Sequence, residues 1–203
     1  MNFMQNIPFF SIMIAMFSGI VTPALSWKMA RKVNGFMVTI VGILSAILLV
    51  YLVQSDVGSF VYMMGHFPAP WGNEIRAGIL EAGMALFFCV IMLLSILGGR
   101  KKMFDEIEIT KHNIYYVLTN LLLGALLAMV YTNDMFTAYV FIEITTIAAC
   151  GLIMIRQNGR TIEAAVRYMI MSLLGSGLVL LGICMLYDLT GHLLMSNMKE
   201  SVA

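Results

Sequence analysis

Glu143 is a carboxylic acid placed where charge is costly. It lies in MFTAYVFIEITTIAAC (135–150), a run with no other charged residue. At about 1.5 Å of rise per residue it stands roughly 12 Å inside that run. If the run crosses a bilayer, that depth is near the centre of a hydrocarbon slab about 30 Å thick. A charged carboxylate there costs about 2.5–3.5 kcal/mol on insertion scales. The chemistry such a group suits is taking up and releasing a proton, or lining an ion path. The alternative is a carboxyl that stays protonated and bonds a neighbouring helix.

Other polar residues stand near it in pattern. Tyr139, Glu143, Thr146 and Cys150 recur at three- and four-residue steps, so a helix carries them on one face. That face suits a hydrated path; equally, it suits a packing seam in which Thr146 bonds its own backbone. Further along, Tyr168, Ser172 and Ser176 share a face, with Gly175 and Gly177 beside them to permit close helix approach. Arg167 falls about one turn inside the same stretch, where a long cationic side chain snorkels to the interface. Glu81 and Arg76 are five positions apart, about 140° around a helix, and so do not pair directly. Together with Asn120 they are candidates for contacts to other helices or other subunits.

The elements that must hold these residues follow from composition. The chain has 203 residues, 61% hydrophobic and 11% charged, against about 25% charged in soluble domains. Mean hydropathy is +0.91. Six apolar stretches, 7–26, 35–53, 75–99, 114–132, 135–155 and 164–187, each approach the length a spanning helix needs. The expectation is an all-α integral membrane protein, a single polytopic domain over 1–203 with about six transmembrane helices in a lipid bilayer. No Lys or Arg precedes Lys28, which argues against a signal peptide at the start. Nineteen methionines suit adaptable interhelical packing rather than a cofactor box.

Lys and Arg concentrate in alternate loops. Lys28, Arg31 and Lys32 fall in the first, Arg100, Lys101, Lys102 and Lys111 in the third, and Arg156 and Arg160 in the fifth. The loops 54–74 and 132–134 carry none. By the positive-inside rule both termini face outside. The second loop, GHFPAPWG (65–72), is too rich in proline and glycine for regular helix, and Phe67 and Trp71 suit an interfacial belt. His66, His112 and His192 share no metal-ligand spacing and read as solvated or boundary residues. Cys89, Cys150 and Cys184 each lie alone in apolar surroundings and read as small buried hydrophobes. A net charge of +1 points to no nucleic-acid partner. No motif for a cofactor, a metal or a catalytic reaction is present.

Near the end, Asn197 followed by Glu200 resembles a capping box that opens a new helix. Because a helix of a few residues is not stable alone, the expectation is a polypeptide that continues past Ala203 or a partner that completes it.

Three segments, PAPWGNEIRAGILEAGMALFF (68–88), YTNDMFTAYVFIEITTIAACGL (131–152) and RTIEAAVRYMIMSLLGSG (160–177), resemble the D subunit of Mrp-type sodium/proton antiporters. They also resemble the antiporter-like subunits of membrane-bound hydrogenase, sulfane reductase and respiratory complex I, and TGHLLMSNMKESVA (190–203) is similar at the same place. The resemblance covers nearly the whole chain but only the first six of the family's helices. It implies a multi-pass subunit of a prokaryotic cytoplasmic membrane, working with other membrane subunits on protons, with sodium as a candidate second ion. It implies that Glu143 matches the fifth-helix acid of the translocation site, Asp134 the acid of the short outer turn, and Arg167 a cation opening the sixth helix. The family pairs the fifth-helix acid with a lysine on a broken seventh helix, so residues 1–203 alone are not expected to conduct. Any enzymatic activity would be that of an ion-translocating oxidoreductase complex such as a hydrogenase. The alternative is a non-conducting structural subunit, split or shortened, that anchors such a complex.

Overall fold

The computed structural model describes residues 3–55, 58–64, 73–99 and 105–202. The chain is mostly helical. The helices are α1 (Phe3–Val21), α2 (Trp27–Gln54), α3 (Ile79–Gly98), α4 (His112–Tyr131), α5 (Met135–Met154), α6 (Gly159–Thr190) and α7 (Met195–Val202). Among the described residues, α1 to α6 are the six helices long and apolar enough to cross a membrane.

Two strands, β1 (Ser59–Met63) and β2 (Glu74–Gly78), form an antiparallel ribbon with Val61 opposite Arg76. The expectation of helix from residue 75 is corrected at this point. Residues 75–78, expected to open the third helix, alternate instead: Ile75 and Ala77 are buried and Arg76 is exposed. That period of two is a strand pattern with one buried face. Gly58, at φ +60°, turns the chain into β1, a conformation that favours glycine.

Several helix bounds also differ from expectation. Pro23, in the 3₁₀ turn Thr22–Ala24, lacks an N–H, and α1 stops at Val21 rather than at 26. Helix α2 starts at Trp27 rather than 35, because Lys28, Met29, Ala30, Arg31 and Lys32 are good helix formers whatever their charge. Helix α6 starts at Gly159 rather than 164, where Asn158 and Thr161 make a reciprocal capping box. Its 32 residues span about 48 Å, longer than a hydrocarbon slab, so it tilts or protrudes. Helix α7 starts two residues before Asn197, held by Met195 N–H donating to the Asn133 carbonyl at 2.9 Å.

Helix α4 is the hub, packing against α1, α2, α3 and α5, while α6 packs chiefly on α5. Half of the most apolar window of α4 is buried, against 11% for α5 and α6. Between helices in lipid the hydrophobic effect contributes little, so fit and small residues hold the bundle. The close approaches fall at Gly124 and Gly151, not at Gly175 or Gly177. A Cβ on Gly124 would stand 2.9 Å from Met16 Cγ, and one on Gly151 would stand 2.9 Å from Leu118 Cδ1, whereas Gly175 and Gly177 face open space.

The connecting segments gather at two ends. At one, β2, the α4–α5 turn and the α6–α7 turn are stitched together: Ile75 bridges Thr132, and Asp134 bridges Leu194. Asn133 Nδ2 also donates to Glu74 Oε2 and to Ser196 Oγ, both at 3.1 Å. At the other end, Asn113 Nδ2 donates to the Leu25 carbonyl at 2.6 Å. Arg156 there pairs with Glu106 at 3.4 Å. This second end carries Lys28, Arg31, Lys32, Lys111, Arg156 and Arg160. His66, Phe67, Trp71, Arg100, Lys101 and Lys102 lie outside the described residues.

Candidate functional site

Helix α5 positions the central acid. Its first turn is capped by Asp134, whose Oδ1 accepts the Thr137 N–H at 2.6 Å. An acid at this cap satisfies an orphan donor and faces the positive end of the helix dipole. Glu143 follows nine positions on, about 13 Å along the axis, as the ninth of the 20 residues of α5.

Glu143 is half-buried. Its Oε1 is enclosed and has no hydrogen-bond partner among the described residues; neither has the Thr145 hydroxyl two positions on. Tyr139, one turn earlier, interacts with the carboxyl side chain. A buried acceptor without a donor is costly, so such a group calls for a partner beyond those the described residues offer. The direction it faces is informative. Phe136, Val140, Ile147 and Met154 are exposed, and Glu143 lies between Val140 and Ile147 at helical steps of three and four. The carboxyl thus borders the side of α5 that no described helix covers.

Asp134, Glu143 and Arg167 are not brought together. Arg167 lies more than two turns inside α6, not one, because that helix starts early. Its side chain is 78% exposed and pairs with Glu163 at 2.5 Å. Thr146 is half-buried on the Glu143 face, and Cys150 Sγ donates to the Ala165 carbonyl at 3.5 Å, fixing α6 against α5. Ser176 turns inward and bonds its own helix at the Leu173 carbonyl, 3.2 Å away, while Tyr168 is exposed. Of the cysteines, Cys89 is buried, Cys150 half-buried and Cys184 exposed, so the small-hydrophobe reading holds fully for Cys89 alone.

Asn120, expected to contact other helices or other subunits, finds its partners on other elements of this chain. It is fully buried, accepts from Asn34 Nδ2 and donates to Thr22 Oγ1 at 3.3 Å, tying α4 to α2 and to the end of α1. Asn34 is a partner that sequence reasoning misses, because it falls one residue before the expected second span; a longer span exposes it as a buried amide. Glu81 sits in the first turn of α3, half-buried, and Arg76 is exposed on β2; no ion pair joins them among the described residues. His112 is buried, with Nε2 3.1 Å from the Ile107 carbonyl and its ring edge-on to Trp27, so it is a packed residue rather than a solvated one. Among the described residues no cluster of His, Cys, Asp and Glu has the makings of a metal site.

Residues 132–202 match the family described as NADH:quinone oxidoreductase/Mrp antiporter, TM. The match overlaps three of the segments that carry the sequence resemblance, 131–152, 160–177 and 190–203. The D subunit of a probable K(+)/H(+) antiporter of Rhizobium meliloti (strain 1021) is 27% identical over 173 residues, covering 83% of this chain and 31% of that protein. A chain of the membrane-bound sulfane sulfur reductase, an archaeal respiratory membrane complex, superposes with a TM-score of 0.79 at 23% identity, over 96% of this chain and 38% of that one. A chain of the Mrp complex from Dietzia sp. DQ12-45-1b superposes with a TM-score of 0.83 at 18% identity, over 96% and 36%. At those identities the two structures speak for the fold. The resemblance to antiporter-like membrane subunits is thereby borne out, and the chain is a multi-pass membrane protein. It spans between 31% and 38% of the length of these relatives.

Proposed function

We propose that this chain is part of a proton-translocating membrane subunit in a multisubunit Mrp-type or complex I-related assembly, with Glu143 as the group that takes and gives the proton. The observation that carries the reading is the enclosed Oε1 of Glu143 in mid-helix, without a hydrogen-bond partner among the described residues and bordering the side of α5 that those helices leave open. Burial disfavours the carboxylate, and a cation brought close favours it. A neighbouring ammonium that approaches and withdraws would expel and readmit the proton. That cation comes from outside the described residues. Asp134 caps α5 at the end where a proton would enter or leave. Arg167, paired with Glu163, serves the opposite half of the bundle.

In this reading both termini face outside, and the basic ends of α2, α4 and α6 lie in the cytoplasm of a prokaryotic cell. Sodium is a candidate second ion. Any redox chemistry belongs to partner subunits. The test is transport by the intact complex in vesicles, with subunit content measured on the same membranes. Glu143→Gln is nearly isosteric and neutral, so assembly should persist while transport is abolished or strongly cut. Glu143→Asp should retain part of it. Near-normal transport by Glu143→Gln would leave the anchoring, non-conducting subunit as the better reading.

A further inference from the structure

A cavity of about 160 Å³ lies between the start of α2, the end of α3 and the start of α4, away from Glu143. Its lining joins the Arg31 guanidinium and two tyrosines, Tyr115 and Tyr116, to the apolar side chains Ile96 and Leu97. Gly35, one helical turn after Arg31, also lines it, and a Cβ there would meet nothing within 4 Å. Leu97 is 70% exposed and the adjacent Phe36 is 69% exposed, so the cavity opens beside an apolar, outward-facing surface. Lys28 and Lys32 stand exposed on the same two turns of α2 as Arg31. A second cavity, of about 100 Å³ at the opposite end of the bundle, has no basic residue in its lining.

We propose that the cavity at Arg31 binds the headgroup of an anionic membrane phospholipid, with the phosphate on the guanidinium and an acyl chain running down the surface of Ile96 and Leu97. Charge and shape both favour this occupant. The lining combines a basic residue with apolar side chains, and it sits at the helix ends, where a spanning helix leaves the hydrocarbon. Basic pockets between helix ends hold lipid headgroups by this combination. An arginine has five N–H donors in a planar fork, so it keeps a protein partner while holding a phosphate. Tyrosine supplies a hydroxyl at the polar level and a ring at the apolar one. A soluble anion would use the guanidinium but not the apolar wall.

The test uses the full chain in its assembled complex, extracted in mild detergent and stripped of lipid. Phosphatidylglycerol and phosphatidylcholine are titrated separately, and bound lipid is counted by native mass spectrometry. Phosphatidylglycerol should bind in preference. Arg31→Gln should weaken it about fivefold, the worth of one basic residue at a lipid surface. Gly35→Leu adds bulk to the lining with a good helix former and should weaken it at least as much, while Lys199→Gln, at the other end of the bundle, should not. Equal binding of the two lipids would overturn the proposal. So would undiminished phosphatidylglycerol binding in both Arg31→Gln and Gly35→Leu. Displacement of the lipid by millimolar inorganic phosphate would overturn the lipid assignment in favour of a free anion.

Discussion

Replacing glycines by alanine along the bundle should change stability with a sign that the packing dictates. Alanine in a helix is favoured over glycine by about 0.5–1 kcal/mol, because glycine loses more freedom on folding. At Gly83, on α3, an added Cβ meets nothing within 4 Å. Gly83→Ala should therefore stabilise by roughly that amount. At Gly124, buried on α4, the same Cβ stands 2.9 Å from Met16 Cγ, 3.3 Å from Met16 N and 3.5 Å from Ala15 Cβ. Met16 Cγ can swing away, but the backbone nitrogen of α1 cannot. Overpacking of that kind costs about 1–3 kcal/mol, which outweighs the helix gain. Gly124→Ala should therefore destabilise by about 0.5–2 kcal/mol. Gly151→Ala meets only the methyl groups of Leu118, at 2.9 and 3.1 Å, and should fall between the two. The assay is reversible unfolding in mixed micelles, followed by circular dichroism. A Gly124→Ala protein as stable as the parent, or a destabilised Gly83→Ala protein, would refute the reasoning.

Three further outcomes are expected. Asn120→Leu removes the acceptor of Asn34 and should cost about 1–2 kcal/mol in the same assay, because a buried amide loses its partner; the double replacement with Asn34→Leu should recover part of that loss. Asp134→Ala should cost about 1 kcal/mol through the lost cap, whereas Asp134→Asn keeps a good cap and should be near neutral; in vesicles, Asp134→Asn should impair transport less than Glu143→Gln. For topology, Lys32→Cys and Asn158→Cys, both exposed, should react with an impermeant thiol reagent only from the cytoplasm, and Ser59→Cys only from outside. Labelling of position 158 from outside intact cells would reverse the orientation.

Much of the plan was legible because the membrane makes local demands. A spanning helix must supply about 20 apolar residues in a row and bond its own backbone. The apolar runs around α1 to α6 therefore stand out whatever they pack against. So does a lone acid in mid-run: Glu143 is conspicuous without any knowledge of its neighbours. Bounds were less legible where one signal masked another. Lys28, Arg31 and Lys32 read as loop by charge yet form the first turns of α2. The strand character of Ile75 and Ala77 was hidden beside the apolar start of α3.

By itself, then, the sequence determined where six long apolar runs fall in these 203 residues, that the positive charge clusters between alternate runs, and where the one mid-run acid stands. Only the tertiary structure decided which side of each helix meets another. The helices are apolar nearly all round, and α5 has almost no amphipathic bias to orient it. Rotation is set instead by contacts between residues far apart in the chain. Gly124 and not Gly175 became a close approach, because α1 lies opposite the first and a Cβ on the second would meet nothing described within 4 Å. Asn34, Asn120 and Thr22 met across 86 and 98 positions, because an amide in a dry interior must find another polar group. Glu143 was left at the border of the uncovered side of α5 for the complementary reason: α4 and α6 pack on its other sides, and no described residue offers its Oε1 a donor.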